Sequence, residues 1–198
     1  MIVSSVTGNN VKPVAVIDVG SNSIRLVVYD GLSRAPIPIF NEKVLCGLGK
    51  GLAQTGELSQ SGTTAALSAL PRFVALAREM GVSNIHVLAT AAVREASNGP
   101  DFLARVQESC GVEVRVISGE EEARLSQLGV LAGVPGATGF MGDLGGGSVE
   151  LVDLEADDRT RRVTLPLGPL RNWQLIRHNP DGLPPFIDRH LASVSWLK

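Results

Sequence analysis

The chain has 198 residues, 44% of them hydrophobic and 19% charged, the balance of a globular protein with a real core. Eighteen Lys and Arg against 20 Asp and Glu leave a net charge of -2, and only 4% of residues are aromatic. A nucleic-acid surface, which needs a basic field and stacking rings, is therefore not expected, nor is a surface built for acidic membranes.

Two cysteines, Cys46 and Cys110, form neither a disulfide framework nor a metal-spaced cluster, and read as small hydrophobes in a reducing compartment. The opening MIVSSVTGNNVKP lacks the basic region and apolar run of a secretory signal, and no apolar stretch reaches bilayer-spanning length. The expectation is a cytoplasmic protein with no membrane and no specific nucleic-acid partner.

In chain order, VAVID and SIRLVVYD are β-branched runs around VGSNS, a strand-turn-strand pattern. A third strand is expected over Ile37 to Leu45, and the glycine-rich Gly47 to Gly56 reads as loop. From Ser61 to Met80, Leu67, Leu70, Val74 and Ala77 mark a helical stripe, with a kink or break expected at Pro71. NIHVLAT reads as a strand, with His86 expected to be packed in the core, AAVREA as a short helix or turn, and GPDFLARVQESC as a helix with Pro100 in its first turn. VEVRVI is a strand and SGEEEARLSQLGVLAG a helix closing at Gly133. After the GVPGATG boundary, strands are expected at Phe140–Leu144, Val149–Leu154 and Arg162–Leu167, followed by two helices. The order is that of an α/β chain whose opening pattern begins a second time and is cut short. It divides into a first unit, 12–132, and a second, 133–198, of a size that is marginal alone.

The repetition is explicit. DVGSNSIRLV and DLGGGSVELV place Asp18 over Asp143, Gly20 over Gly145 and Ser23 over Ser148. Gly145, Gly146 and Gly147 allow the positive φ of a plain hairpin turn, but such turns also form concave anion sites from backbone N–H groups. A carboxylate at each strand end can hold a hydrated Mg²⁺ that bridges to phosphate. In SGEEEARL, Ser118 and Glu121 form a capping box and Glu120 suits the helix dipole, which leaves Glu122 with no structural role of that kind. An acidic first turn without chemistry is the alternative reading. Arg94, in the loop region after a strand, is suited either to a phosphate or to a surface pair with Glu95 or Glu121.

Four segments, VIDVGSNSIRLVV, ATAAVREASNGPDFL, VISGEEEARL and DLGGGSVELV, occur in order at separations that resemble the exopolyphosphatase / guanosine pentaphosphate phosphohydrolase (Ppx/GppA) family. The resemblance implies the actin-like ATPase (ribonuclease H-like) fold, with the first lobe complete and the second truncated in this chain. It implies hydrolysis of the terminal phosphoanhydride of polyphosphate or guanosine pentaphosphate with Mg²⁺, a function tied to the stringent response. By the same resemblance Glu122 is the general base and Arg94 a phosphate contact. Asp143 and Glu150 assist metal and water, with Asp18 as a further metal ligand. Gly20, Ser21, Asn22 and Ser23, and Gly145, Gly146, Gly147 and Ser148, are the two phosphate loops. A kinase or ATPase of the same superfamily and a non-catalytic phosphate or nucleotide sensor are the competing readings. The incomplete second lobe also makes a homodimer an expectation to test.

Overall fold

The computed structural model describes residues 12–155 and 161–197. The reading of the first thirteen residues as leader-free thus lies, for 1–11, outside the described residues. Two sheets form the framework. The first has five strands in the order β3-β2-β1-β4-β5, from β1 (Val14–Val19), β2 (Ser23–Tyr29), β3 (Pro38–Leu45), β4 (Asn84–Ala89) and β5 (Val114–Val116). β1–β2 and β2–β3 are antiparallel, whereas β1–β4 and β4–β5 are parallel. The second sheet is an antiparallel meander of β6 (Phe140–Leu144), β7 (Val149–Asp153) and β8 (Arg162–Leu165).

One face of the first sheet is built by alternation: Ala15, Ile17, Val19, Ile24, Leu26 and Val28 are all fully buried. They pack beneath α2 (Gln60–Glu79) and α4 (Gly99–Cys110), which contribute Leu70, Phe73, Val74, Phe102 and Val106. Asp18 escapes this face because it occupies the opposite phase of β1. The parallel pairing then sets the end of β4, and so Thr90, beside the end of β1. Helix α5 (Gly119–Gly133) crosses to the second sheet, where Arg162 donates from Nε to the buried Gln127 Oε1 at 2.9 Å. Helices α6 (Trp173–His178) and α7 (Leu183–Leu191) follow. No helix among the described residues is long and apolar enough to cross a membrane.

Three expectations are corrected. Helix α2 is not broken at Pro71 but continues through it, with Leu70 and Phe73 buried in the core around the missing N–H. The 47–56 stretch is not all loop: α1 (Leu52–Thr55) is a single turn set between Gly51 and Gly56, both at positive φ. His86 is exposed, since it lies on the face of β4 opposite Val87 and Ala89, which α2 and α4 do not cover. Pro100 does sit in the first turn of α4, and Cys46 and Cys110 are free, with Cys110 buried and Cys46 half-buried.

A proline in mid-helix leaves the carbonyl four residues earlier, that of Leu67, without its N–H donor. Pro71→Ala is expected to raise the unfolding free energy by about 1 kcal/mol. Urea unfolding checks this; an unchanged or lowered midpoint would mean that packing of the proline ring outweighs the lost bond.

Candidate active site

The repeated sequence is a repeated structure. In the β1–β2 hairpin Gly20 N–H donates to Ser23 O at 3.0 Å, and in the β6–β7 hairpin Gly145 N–H donates to Ser148 O at 2.9 Å. Asp18 faces Arg25 across the first hairpin, as Asp143 faces Glu150 across the second. The two turns meet tip to tip. None of Gly20, Gly145, Gly146 or Gly147 has positive φ, so the plain-turn reading of these glycines does not hold. What Gly147 provides is closeness: a Cβ there would lie 2.7 Å from Ser21 Oγ, and one on Gly146 would lie 3.1 Å from Asn22 Cβ.

Between the turns lies a cleft of about 150 Å³. The two loops, Gly20–Ser23 and Gly145–Ser148, wall it, and Asp18, Thr90, Glu122, Asp143 and Glu150 complete it. Each acid arrives by a different route. Asp18 and Asp143 stand near the ends of β1 and β6, and Glu150 faces Asp143 from β7. Glu122 is carried by the first turn of α5, whose start is fixed by Ser118 Oγ accepting from Glu121 N–H at 3.1 Å. The Glu121 carboxylate pairs with Arg115 at 2.9 Å.

Arg94, on the short helix α3 (Ala91–Glu95), pairs with neither Glu95 nor Glu121. Its Nη1 donates to Ile117 O at 2.7 Å and to Glu122 Oε2 at 3.3 Å, and it is not among the residues lining the cleft. Three residues that motif reading missed take part. Thr90 lines the cleft from the end of β4, and a hydroxyl residue ending a parallel strand next to Asp18 was the available signal. Ser126 Oγ, one turn beyond Glu122, donates to Asp143 Oδ2 at 2.8 Å. Arg171 donates from Nε to Gly147 O at 3.0 Å and forms an ion pair with Glu95. Nothing in the local sequence marks Arg171, since its partners lie far away along the chain.

The electrostatics are those of crowded acids. Glu150 is 1% exposed, and its Oε1 has no hydrogen-bond partner. Loss of hydration pushes its pKa up to about 7, Glu122 and Asp143 add to the shift, and Ser148 and Arg94 oppose it. Burial also raises Glu122 above the ordinary glutamate range; Arg94 opposes this by charge and hydrogen bond, while Asp18 and Asp143 push further. Asp18 is raised by loss of hydration and by Asp143, against the weaker pull of Arg25 and Lys43.

This donor set is entirely oxygen: carboxylates, hydroxyls and backbone. Among the described residues no three His, Cys, Asp or Glu side chains close on one point as a full metal cage. Mg²⁺ does not need one, because it binds through one or two carboxylates and keeps waters or phosphate oxygens in its other positions. The orphaned, buried Glu150 Oε1 fits such a ligand. No softer metal is suggested by these groups.

Comparison with known proteins gives the family. The Ppx/GppA phosphatase family model matches residues 27–181. Exopolyphosphatase 1 of Mycobacterium tuberculosis is 31% identical over 192 residues, covering 91% of this chain and 55% of that protein. The crystal structure of an exopolyphosphatase from Cytophaga hutchinsonii superposes with a TM-score of 0.81 at 28% identity, covering 91% of this chain and 61% of that one. A crystal structure of the Aquifex aeolicus Ppx/GppA family member gives 0.68 at 29% identity, covering 85% and 56%. The chain thus spans little more than half the length of the curated relatives it matches. Its fold is that of the actin-like ATPases, and the chain belongs to the Ppx/GppA phosphatase family.

Proposed function

We propose that the protein carrying this chain releases the terminal phosphate of inorganic polyphosphate or guanosine pentaphosphate by attack of water on the phosphoanhydride. The observation that carries this reading is the convergence of two turns closed by the same backbone hydrogen bond and four carboxylates on one small cleft. In-line phosphoryl transfer asks a protein for positioned phosphate oxygens, a placed water and charge neutralisation, and for little covalent work. The turns of 20–23 and 145–148 supply N–H and hydroxyl donors for the phosphate oxygens. Glu122, raised by burial and held in orientation by Arg94, takes the proton of the attacking water. Arg94 adds positive charge at the back of the cleft, through Glu122.

Asp18, Asp143 and Glu150 are the residues to hold Mg²⁺, which when bound neutralises the phosphate oxygens. Ser126 steers Asp143 by occupying one of its oxygens. Exopolyphosphatases among the relatives favour polyphosphate as the substrate class.

Two outcomes are expected. Glu122→Gln should lower Mg²⁺-dependent phosphate release by at least ~10²-fold, with polyphosphate, guanosine pentaphosphate and ATP compared in one colorimetric assay. Retained turnover in a folded variant would sink Glu122 as the base, and preferential use of ATP would favour the ATPase reading.

The second outcome concerns pH. In the folded chain Glu150 keeps its proton up to about pH 7, while in the unfolded chain it ionises near the ordinary 4.5. The folded state therefore binds more protons in that window, and stability is lost as pH rises through it. The groups facing Glu150 are Glu122, Asp143 and, with opposite sign, Arg94. In EDTA, Glu150→Gln should be more stable than wild type at pH 8 by on the order of 2 kcal/mol, and the advantage should vanish toward pH 4.5. Denaturant unfolding at several pH values measures it, and an advantage independent of pH contradicts the assignment.

A further inference from the structure

The second phosphate loop is backed by main chain. After β8, Leu170 N–H donates to Gly146 O at 2.9 Å and Arg171 N–H to the same oxygen at 3.3 Å. Gly168 lies so close that a Cβ there would come within 2.5 Å of Gly146 O and Gly146 C, and 2.3 Å from Gly147 C. Asn172 Nδ2 fixes the turn itself, donating to Pro166 O at 2.9 Å and Gly168 O at 3.0 Å. The Arg171 side chain then completes the support: Nε donates to Gly147 O at 3.0 Å, and Nη2 pairs with Glu95 on α3.

Peptide planarity has one consequence here. With the carbonyls of Gly146 and Gly147 bound on the 168–171 side, the N–H groups of Gly147 and Ser148 are turned the opposite way. Gly147 and Ser148 both line the cleft. In addition, α3 joins the two halves of the site through consecutive residues. Arg94 holds Glu122, and Glu95 holds Arg171, which holds Gly147.

We propose that Arg171 is a positioning residue, a clasp that fixes the second phosphate loop to the first lobe with its N–H groups presented to phosphate. It touches no reacting atom and acts through the Gly147 carbonyl and Glu95. The clasp assignment rests on the phosphohydrolase reading for its effect on turnover, but its effect on phosphate binding can be read without turnover.

The test uses the protein carrying this chain, with Arg171→Met, Arg171→Lys and Glu95→Gln. Two readouts are taken: the affinity for inorganic phosphate with Mg²⁺ by calorimetry, and the KM and kcat for phosphate release from polyphosphate. Arg171→Met is expected to weaken phosphate binding and to lower kcat/KM by roughly 10- to 100-fold. Arg171→Lys, which can still meet Glu95 but lacks the planar fork, should recover part of this loss. Glu95→Gln should cost less than Arg171→Met, and adding it to Arg171→Met should cost nothing further. Because Arg94 and Glu122 are untouched, the pH profile of kcat should stay where it is, whereas general disruption of the site would move it. Wild-type phosphate affinity and kcat/KM in folded Arg171→Met overturn the clasp alone. Wild-type protein that binds phosphate but releases none overturns the hydrolase reading, and the clasp is then judged on affinity. Wild-type protein that does neither overturns both. If Arg171→Met does not fold, Arg171→Lys and Glu95→Gln decide the matter, and full activity in both rejects the clasp.

Discussion

Four carboxylates share one small cleft, and one guanidinium, that of Arg94, is bonded to any of them among the described residues. That imbalance governs the site. Loss of hydration, with the neighbouring like charges adding to it, raises the proton affinity of Asp18, Glu122 and Glu150 alike. Such a cluster is held together against its own repulsion by the fold, and it is relieved by protons or by a divalent cation. An acidic cleft is also a poor host for a free polyanion unless positive charge enters with it. On the proposed reading, the burial that raises Glu122 is thus also what makes a bound cation the natural companion of a polyanion in this cleft.

The scaffold meets this cost with backbone. Both turns present main-chain donors, and both are closed by the same hydrogen bond, Gly20 to Ser23 and Gly145 to Ser148. The first turn is buttressed from the 46–49 loop, where Cys46 and Gly47 N–H groups donate to Asn22 O and Gly49 N–H to Ser21 O. The second is buttressed from 168–171. Neither buttress relies on a titrating group for its main-chain bonds, so protonation or metal binding in the cleft can change charge without dismantling the loops. Preorganised donors of this kind need not reorganise as charge develops on a transferring phosphoryl group.

Much of this was legible in sequence because it is local. The strand-turn-strand repeats, the Ser118 cap and the acids at strand ends are all encoded within a few residues, and each appears where it was expected. What failed was of two kinds. Some errors came from letting local preference stand for tertiary outcome: a kink or break was expected at Pro71, yet the helix continues through it, and His86 was placed in a core that covers only one sheet face. Others were invisible because the partners are distant. Arg171 meets Glu95 across 76 positions, and the glycines of the second turn are required by Ser21 and Asn22 rather than by their own φ angles. A glycine triplet looks the same in sequence whether it serves a turn or a close approach.

The two hairpins differ in the residue opposite their strand-end aspartates, and that difference divides their roles. Opposite Asp18 stands Arg25, exposed and donating from Nε to Asn41 on β3, so the first hairpin directs its cation along the sheet. Opposite Asp143 stands Glu150, buried with one oxygen unpaired. The first hairpin can therefore keep Asp18 partly compensated while offering backbone and hydroxyls to phosphate. In the second, Ser148 and Arg94 offset only part of what burial, Glu122 and Asp143 impose on Glu150. A duplicated element has in this way produced a site with an asymmetric demand for charge: the Mg²⁺ proposed for it would be held more strongly by the 143–150 hairpin, the one that Arg171 and Glu95 tie to α3.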